Sequence, residues 1–135
     1  NFAVLALTSA LLLLPACKRH YELETQAPAT AGLADITLER DKTGNGTLEL
    51  TVEHLASPQS IDPSLSAFIV WGQVEGKDPF KIGILEYKEK KRAGKLDATY
   101  SDDAFTLMIT VEADPDGDAP TGAKILELPV VAPKK

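Results

Sequence analysis

The stretch "GTLELTVEHL", Gly46 to Leu55, sets Leu48, Leu50 and Val52 against Glu49, Thr51 and Glu53 in strict alternation. Successive residues of an extended strand point to opposite faces. The pattern therefore makes a strand with one face buried and the other in water. An amphipathic helix would need apolar positions every three or four residues instead. Just upstream, "ADITLER" repeats the alternation with Ile36 and Leu38. Between the two, "DKTGNG" offers Gly44, Asn45 and Gly46, residues that tolerate the positive φ of a tight turn. The two segments are predicted to form a hairpin.

The same period runs to the end of the chain. "SAFIVWGQVE" is apolar on both faces, with Phe68 and Val70 against Ile69 and Trp71, as a central strand would be, and Trp71 there is expected to be the large core residue. "ASPQSIDPS" before it reads as a loop. "FKIGILEY" follows the turn "GKDP", "GKLDATY" aligns Leu96, Ala98 and Tyr100, and "AFTLMITVEA" sets Phe105, Leu107, Ile109 and Val111 on one side. In "AKILELPVV", Pro129 lacks an N–H and marks an edge strand. About seven short strands with regular turn signals and no amphipathic helix predict an all-β fold, an immunoglobulin-like antiparallel β-sandwich over 33–135. The cysteine pair of antibody domains is missing, because the chain has one Cys.

Phe2 to Leu14, "FAVLALTSALLLL", carries no charge and is followed by Pro15. A spanning helix needs roughly 20 apolar residues, and a signal-peptide apolar region about 7–15. Residues 1–16 are predicted to be a signal peptide whose start is truncated, since the chain opens at Asn1 without a basic stretch. Residues 17–32 are predicted to be a flexible tether, averaging roughly 20 Å in span, because "KRHYELETQAPATAG" is poor in apolar residues. His20 reads there as a solvated side chain. The net charge of −6 falls wholly after Ala16. An acidic domain makes a poor nucleic-acid binder, since duplex affinity rests on Lys and Arg meeting phosphates. For the same reason it would not lie flat on an anionic membrane.

Leu14-Pro15-Ala16-Cys17 resembles the lipobox of bacterial lipoproteins, with Leu three residues before the Cys and a small residue beside it. Pro15 departs from the usual residue at its place. The resemblance implies a diacylglycerol on the Cys17 thiol, cleavage before Cys17 and acylation of the new amine. It implies a membrane partner held through that lipid. Two or more acyl chains suffice for stable anchoring. Lys18, rather than an Asp, follows Cys17, which resembles outer-membrane sorting with the domain facing the periplasm.

From about Ser66 to Leu128 the chain resembles the extracytoplasmic C-terminal domain of RskA-type anti-sigma-K factors. The residues that carry this are Phe68, Val70 and Trp71, then Ile82 and Gly83, then Phe105, Ile109, Thr110, Val111 and Glu112, and finally Pro120, Thr121 and Gly122 before Ile125 and Leu126. The sigma-binding domain and spanning helix of those proteins have no counterpart in this sequence. The resemblance therefore implies at most the outer module, placed on a different anchor.

Two charged turns are the candidates for interaction. "YKEKKRAGK" gathers Lys88, Lys90, Lys91, Arg92 and Lys95, which could steer an anionic envelope partner or simply protect a strand edge. "DPDGDAPTG" places Asp114, Asp116 and Asp118 at alternate positions, as in a calcium loop. An EF-hand needs Gly at its sixth place and Glu at its twelfth. Ala119 and Ile125 stand there, so the EF-hand reading fails. A turn is the simpler reading, and a looser calcium or small-ligand site the alternative. Catalysis finds no frame: His54 stands alone, and Ser57, Ser60, Ser64 and Ser66 lack a Gly-x-Ser-x-Gly setting. The expected function is a non-enzymatic envelope module needing no cofactor, with an envelope protein as partner. A hydrolase is the remote alternative.

Overall fold

The computed structural model describes residues 18–134. Nine strands form: β1 Lys18–Glu24, β2 Leu33–Arg40, β3 Gly46–Glu53, β4 Ala67–Gln73, β5 Phe80–Ile84, β6 Glu86–Lys88, β7 Ala93–Tyr100, β8 Ala104–Glu112 and β9 Ala123–Val131. A one-turn helix, α1, spans Pro58–Ile61. All pairings are antiparallel. One sheet has the order β1-β2-β3-β7-β6 and the other β5-β4-β8-β9. The fold is a β-sandwich, as the alternation predicts.

The two inner faces supply the core. Ile36, Leu38, Leu48, Leu50 and Val52 from one sheet meet Phe68, Val70, Leu107, Ile109, Val111, Ile125 and Leu126 from the other. Fully burying each such side chain contributes about 1.5–3 kcal/mol. The predicted hairpin forms as well. Asp41 Oδ1 accepts from the backbone N–H groups of Thr43 and Asn45, both at 2.9 Å, and Gly44 adopts φ 93°. β9, with Pro129, lies at a sheet edge.

Three expectations change. Lys18–Glu24, assigned to the flexible tether, is strand β1. It pairs with β2 without interruption from Lys18↔Glu39 to Glu24↔Leu33. Its Tyr21 and Leu23 pack against the core, and the Val131 N–H donates to Tyr21 Oη at 3.1 Å. Lys18–Glu24, upstream of residue 33, thus belongs to the sandwich. Second, "FKIGILEY" is two strands rather than one. The chain changes sheets at Leu85, whose N–H donates to the Phe68 carbonyl at 2.9 Å. Third, Trp71 is fully buried, but not between the sheets. It clusters with Ala67, Ile69 and Met108 on the outer side of the four-stranded sheet. Asn1 to Cys17, including the predicted signal peptide and lipid site, lie outside the described residues.

Apart from the crossing at Leu85, the registers sort the connections to two ends. Lys18 lies at the end that also holds the 41–45 turn, the 74–79 turn, the 101–103 link and the tail after Val131. Buried Arg40 ties the sheets together there. It donates to Asp103 Oδ1 at 2.8 Å and to the Ser101 carbonyl at 3.2 Å. The opposite, far end holds the 25–32, 54–66, 89–92 and 113–122 connections. At that end the Gln26 N–H donates to the Ile125 carbonyl at 2.7 Å.

Candidate functional site

Both charged turns picked out from the sequence fall at the far end, on different sheets. The basic one joins β6 to β7 and is closed by the N–H groups of Lys91 and Arg92, which donate to the Lys88 and Glu89 carbonyls at 3.1 Å each. Arg92 takes φ 51°. The turn is fixed to the 54–66 connection from two sides. Tyr87 Oη donates to the Leu55 carbonyl at 2.6 Å, and the Leu55 N–H donates to the Arg92 carbonyl at 2.8 Å. Burial pushes the Tyr87 phenol above its ordinary value. Lys88, Lys90, Lys91, Arg92 and Lys95 are all exposed. Lys88, Lys91 and Lys95 border a shallow hollow of about 400 Å³ that Glu53 and Glu86 also line. The surface is mixed in charge rather than purely basic.

The acidic turn is built differently from a cation loop. Asp114, Asp116 and Asp118 do not converge: among the described residues their oxygens form no cluster able to hold an ion. Asp114 Oδ1 instead accepts the Asp116 N–H at 2.9 Å, an ordinary turn contact. The carbonyls that could have faced a cation face an ammonium. Lys81 Nζ donates to the Pro115 carbonyl at 2.6 Å and to the Gly117 carbonyl at 3.4 Å. Lys81 lies opposite Trp71 in the β4–β5 register, so both project from the outer face. The turn is therefore tied to the outer face, the same face on which Trp71 lies with no exposed surface.

A second latch sits at the root of the turn. Trp71 Nε1 donates to Thr110 Oγ1 at 2.8 Å, and Thr110 Oγ1 donates to Glu112 Oε2 at 2.5 Å. The Glu112 carboxylate also accepts from Thr121 Oγ1 at 2.7 Å, the Thr121 N–H at 3.1 Å and the Gly122 N–H at 3.0 Å. Burial of Glu112 on its own pushes its carboxyl up. The bonds from Thr110, Thr121 and Gly122 outweigh that and hold it below its ordinary value. Thr110, Glu112, Thr121 and Gly122, which read as scattered positions in the sequence, thus form one clasp. All four stand among the residues of the family resemblance, but nothing in the sequence marks them as one hydrogen-bonded unit.

Because Trp71 is the only tryptophan and lies on that face, displacement of the turn can be watched by fluorescence. Lys81→Ala releases Pro115 and Gly117, so acrylamide quenching is expected to rise and emission to move to longer wavelength, with strand content by circular dichroism unchanged. Unaltered quenching would show that the turn stays in place without the lysine.

The candidate catalytic residues are not assembled. Ser57 caps α1, accepting the Ser60 N–H at 3.2 Å, and Ser60 Oγ donates to the Ser57 carbonyl. Ser64 Oγ donates to Asp62 Oδ1 at 2.7 Å, and Ser66 Oγ to the Ala113 carbonyl at 2.7 Å. His54, exposed at φ 57°, makes no hydrogen bond with any of them among the described residues.

The outer face of the five-stranded sheet is a feature the sequence reading passed over. Registers bring to it Glu22 and Glu24 from β1, Asp35 and Glu39 from β2, Glu49 and Glu53 from β3, Asp97 from β7 and Glu86 from β6. Only Lys18, Lys88 and Lys95 oppose them on the same strands, so most of the net charge of −6 lies on this face. Alternation made its residues polar, but only the strand order makes them neighbours. His20, read as solvated, projects from this face and lies 2.7 Å from Asp35.

No family model, curated protein or solved structure compared with the chain matches it. Among the described residues no helix is long and apolar enough to cross a membrane.

Proposed function

We propose that this chain is a lipid-anchored cell-envelope protein, joined to the membrane through Cys17, whose sandwich is a non-enzymatic interaction or structural module. The observation that carries this reading is the separation of the two ends. Lys18, the residue after Cys17, opens β1 at one end, and both charged turns stand at the other. A domain tied to a bilayer at its first end presents the far end to whatever lies beyond. The turns there are held by Tyr87, Lys81 and Glu112. A partner would meet preset shapes, which lowers the ordering cost of binding. The serines serve caps and turns, which supports a binding rather than a catalytic role. The residues behind the anti-sigma-K resemblance lie mostly in the core and the Glu112 clasp, so they support shared architecture and say nothing of a shared partner.

The anchor is tested first. Cys17→Ser is expected to abolish labelling by a fatty-acid probe and to move the protein from the membrane to the soluble fraction. Labelling and fractionation that do not change would reject it. Cross-linking in native envelopes then tests the module. One recurrent protein partner, lost when Lys90, Lys91 and Arg92 are replaced together by Glu, is the expected result.

A further inference from the structure

The acid-rich face holds one place where three metal-binding side chains meet. His20 and Glu22 are two apart on β1, so the pleat turns both to the same side. Asp35 stands directly across from Glu22 on β2. The ligating atoms of the three lie within 4.8 Å of one another. We propose that His20, Glu22 and Asp35 form a binding site for a divalent transition metal ion, and that zinc is the ion it suits.

The donor set points to that class. One imidazole nitrogen with two carboxylate oxygens suits zinc and its first-row neighbours, whereas calcium and magnesium prefer all-oxygen sets with more ligands. The distances fit with small adjustments. Zinc–nitrogen and zinc–oxygen bonds of about 2.0–2.2 Å in a tetrahedron place donors about 3.3 Å apart. His20 Nε2 and Asp35 Oδ1, now 2.7 Å apart, would open by about half an ångström, and a Glu22 carboxylate oxygen already lies within 4.8 Å of both. The His20 and Asp35 side chains are about half exposed, so both can move that far. The strands beneath them need not move, because the β1–β2 register is unbroken along its length.

Charge adds to this. The two ligand carboxylates sit among other acids of the same face, and the nearby Lys18 ammonium is turned to Glu39 at 3.9 Å. Three protein donors leave a fourth position for water or for a ligand brought by another molecule. None of this requires acylation of Cys17, so the site and the anchor stand or fall separately.

A plain His20–Asp35 hydrogen bond is the competing account, and it has no need of Glu22. Titration calorimetry of the full chain with zinc chloride separates the two. One zinc per chain is expected, retained in millimolar magnesium and calcium. His20→Ala, Asp35→Asn and Glu22→Gln are each expected to weaken it at least tenfold, while His54→Ala leaves it unchanged. Cobalt(II) in place of zinc is expected to give the visible absorption of a four-coordinate ion. Should His20→Ala loosen β1, as a lower melting temperature in metal-free buffer would reveal, Glu22→Gln decides alone, since it leaves the His20–Asp35 contact in place. Binding that is absent, that survives Glu22→Gln, or that magnesium or calcium displaces would overturn the proposal.

Discussion

Glu112→Ala is expected to lower the free energy of unfolding by about 3 kcal/mol, since a hydrogen bond to a charged group contributes about 1.5–3 kcal/mol and each buried donor left unsatisfied costs about 1–3 kcal/mol. The substitution strands the Thr121 and Gly122 N–H groups and the Thr110 hydroxyl, and Thr110 in turn positions the Trp71 indole. Urea denaturation measures the loss as a lower midpoint at unchanged slope. Acid gives a second reading of the same clasp. The Glu112 carboxyl titrates lower in the folded chain than its ordinary value of 4.5. A carboxyl lowered by folding contributes stability that is complete above its unfolded value and disappears as pH falls through the folded one. The wild type is therefore expected to lose stability as pH falls below about 4.5. Glu112→Gln, already weakened at neutral pH, should lose less over that window. Parallel pH profiles for the two proteins would remove Glu112 as a cause.

Gly122→Ala is expected to cost about 3 kcal/mol, the upper part of the range for overpacking. A Cβ at that position would fall well inside contact distance of the Val111 carbonyl oxygen, with the Glu112 carboxylate close behind. The obstacle is backbone rather than the end of a flexible side chain. The N–H of Gly122 also has to stay on Glu112, which prevents the strand from swinging out. Gly117→Ala is the control in the same turn. There the nearest atom, the Asp114 carbonyl oxygen, would lie at 3.6 Å, so a change within about 0.5 kcal/mol is expected. Equal losses at the two glycines would mean that the turn, not the close approach, sets the cost.

What the sequence revealed follows from what alternation can encode. β3 and β8 were legible because every second residue is apolar over several repeats. β1 was not, since "KRHYELE" has only Tyr21 and Leu23 as apolar residues on its inner side, which also carries Arg19, and its remaining residues are charged or polar. The edge position explains the thin signal: a strand at the rim buries less than one in the middle. Arg40 ends the inward series Ala34, Ile36, Leu38, and hydropathy alone would have turned it to solvent. Its partners Ser101 and Asp103 lie about 60 residues away and are set by topology. The charged turns were found in the right segments. That they share an end, and that Lys81 occupies the acidic one, depends on register. The acidic outer face and its histidine are likewise products of strand order, spread over five separate stretches of chain.

β1 has a mechanical consequence. Inter-strand hydrogen bonds of an antiparallel pair run across the strand direction. If the chain is held at its start by a lipid and drawn at its far end by a partner, the pull runs along β1 and against β2. That is shear, in which the bonds of the ladder from Lys18 to Glu24 bear the force together. Drawn sideways, the same strand would peel one bond at a time. An attachment next to Lys18 thus places the load on the rim strand in the direction in which it resists best.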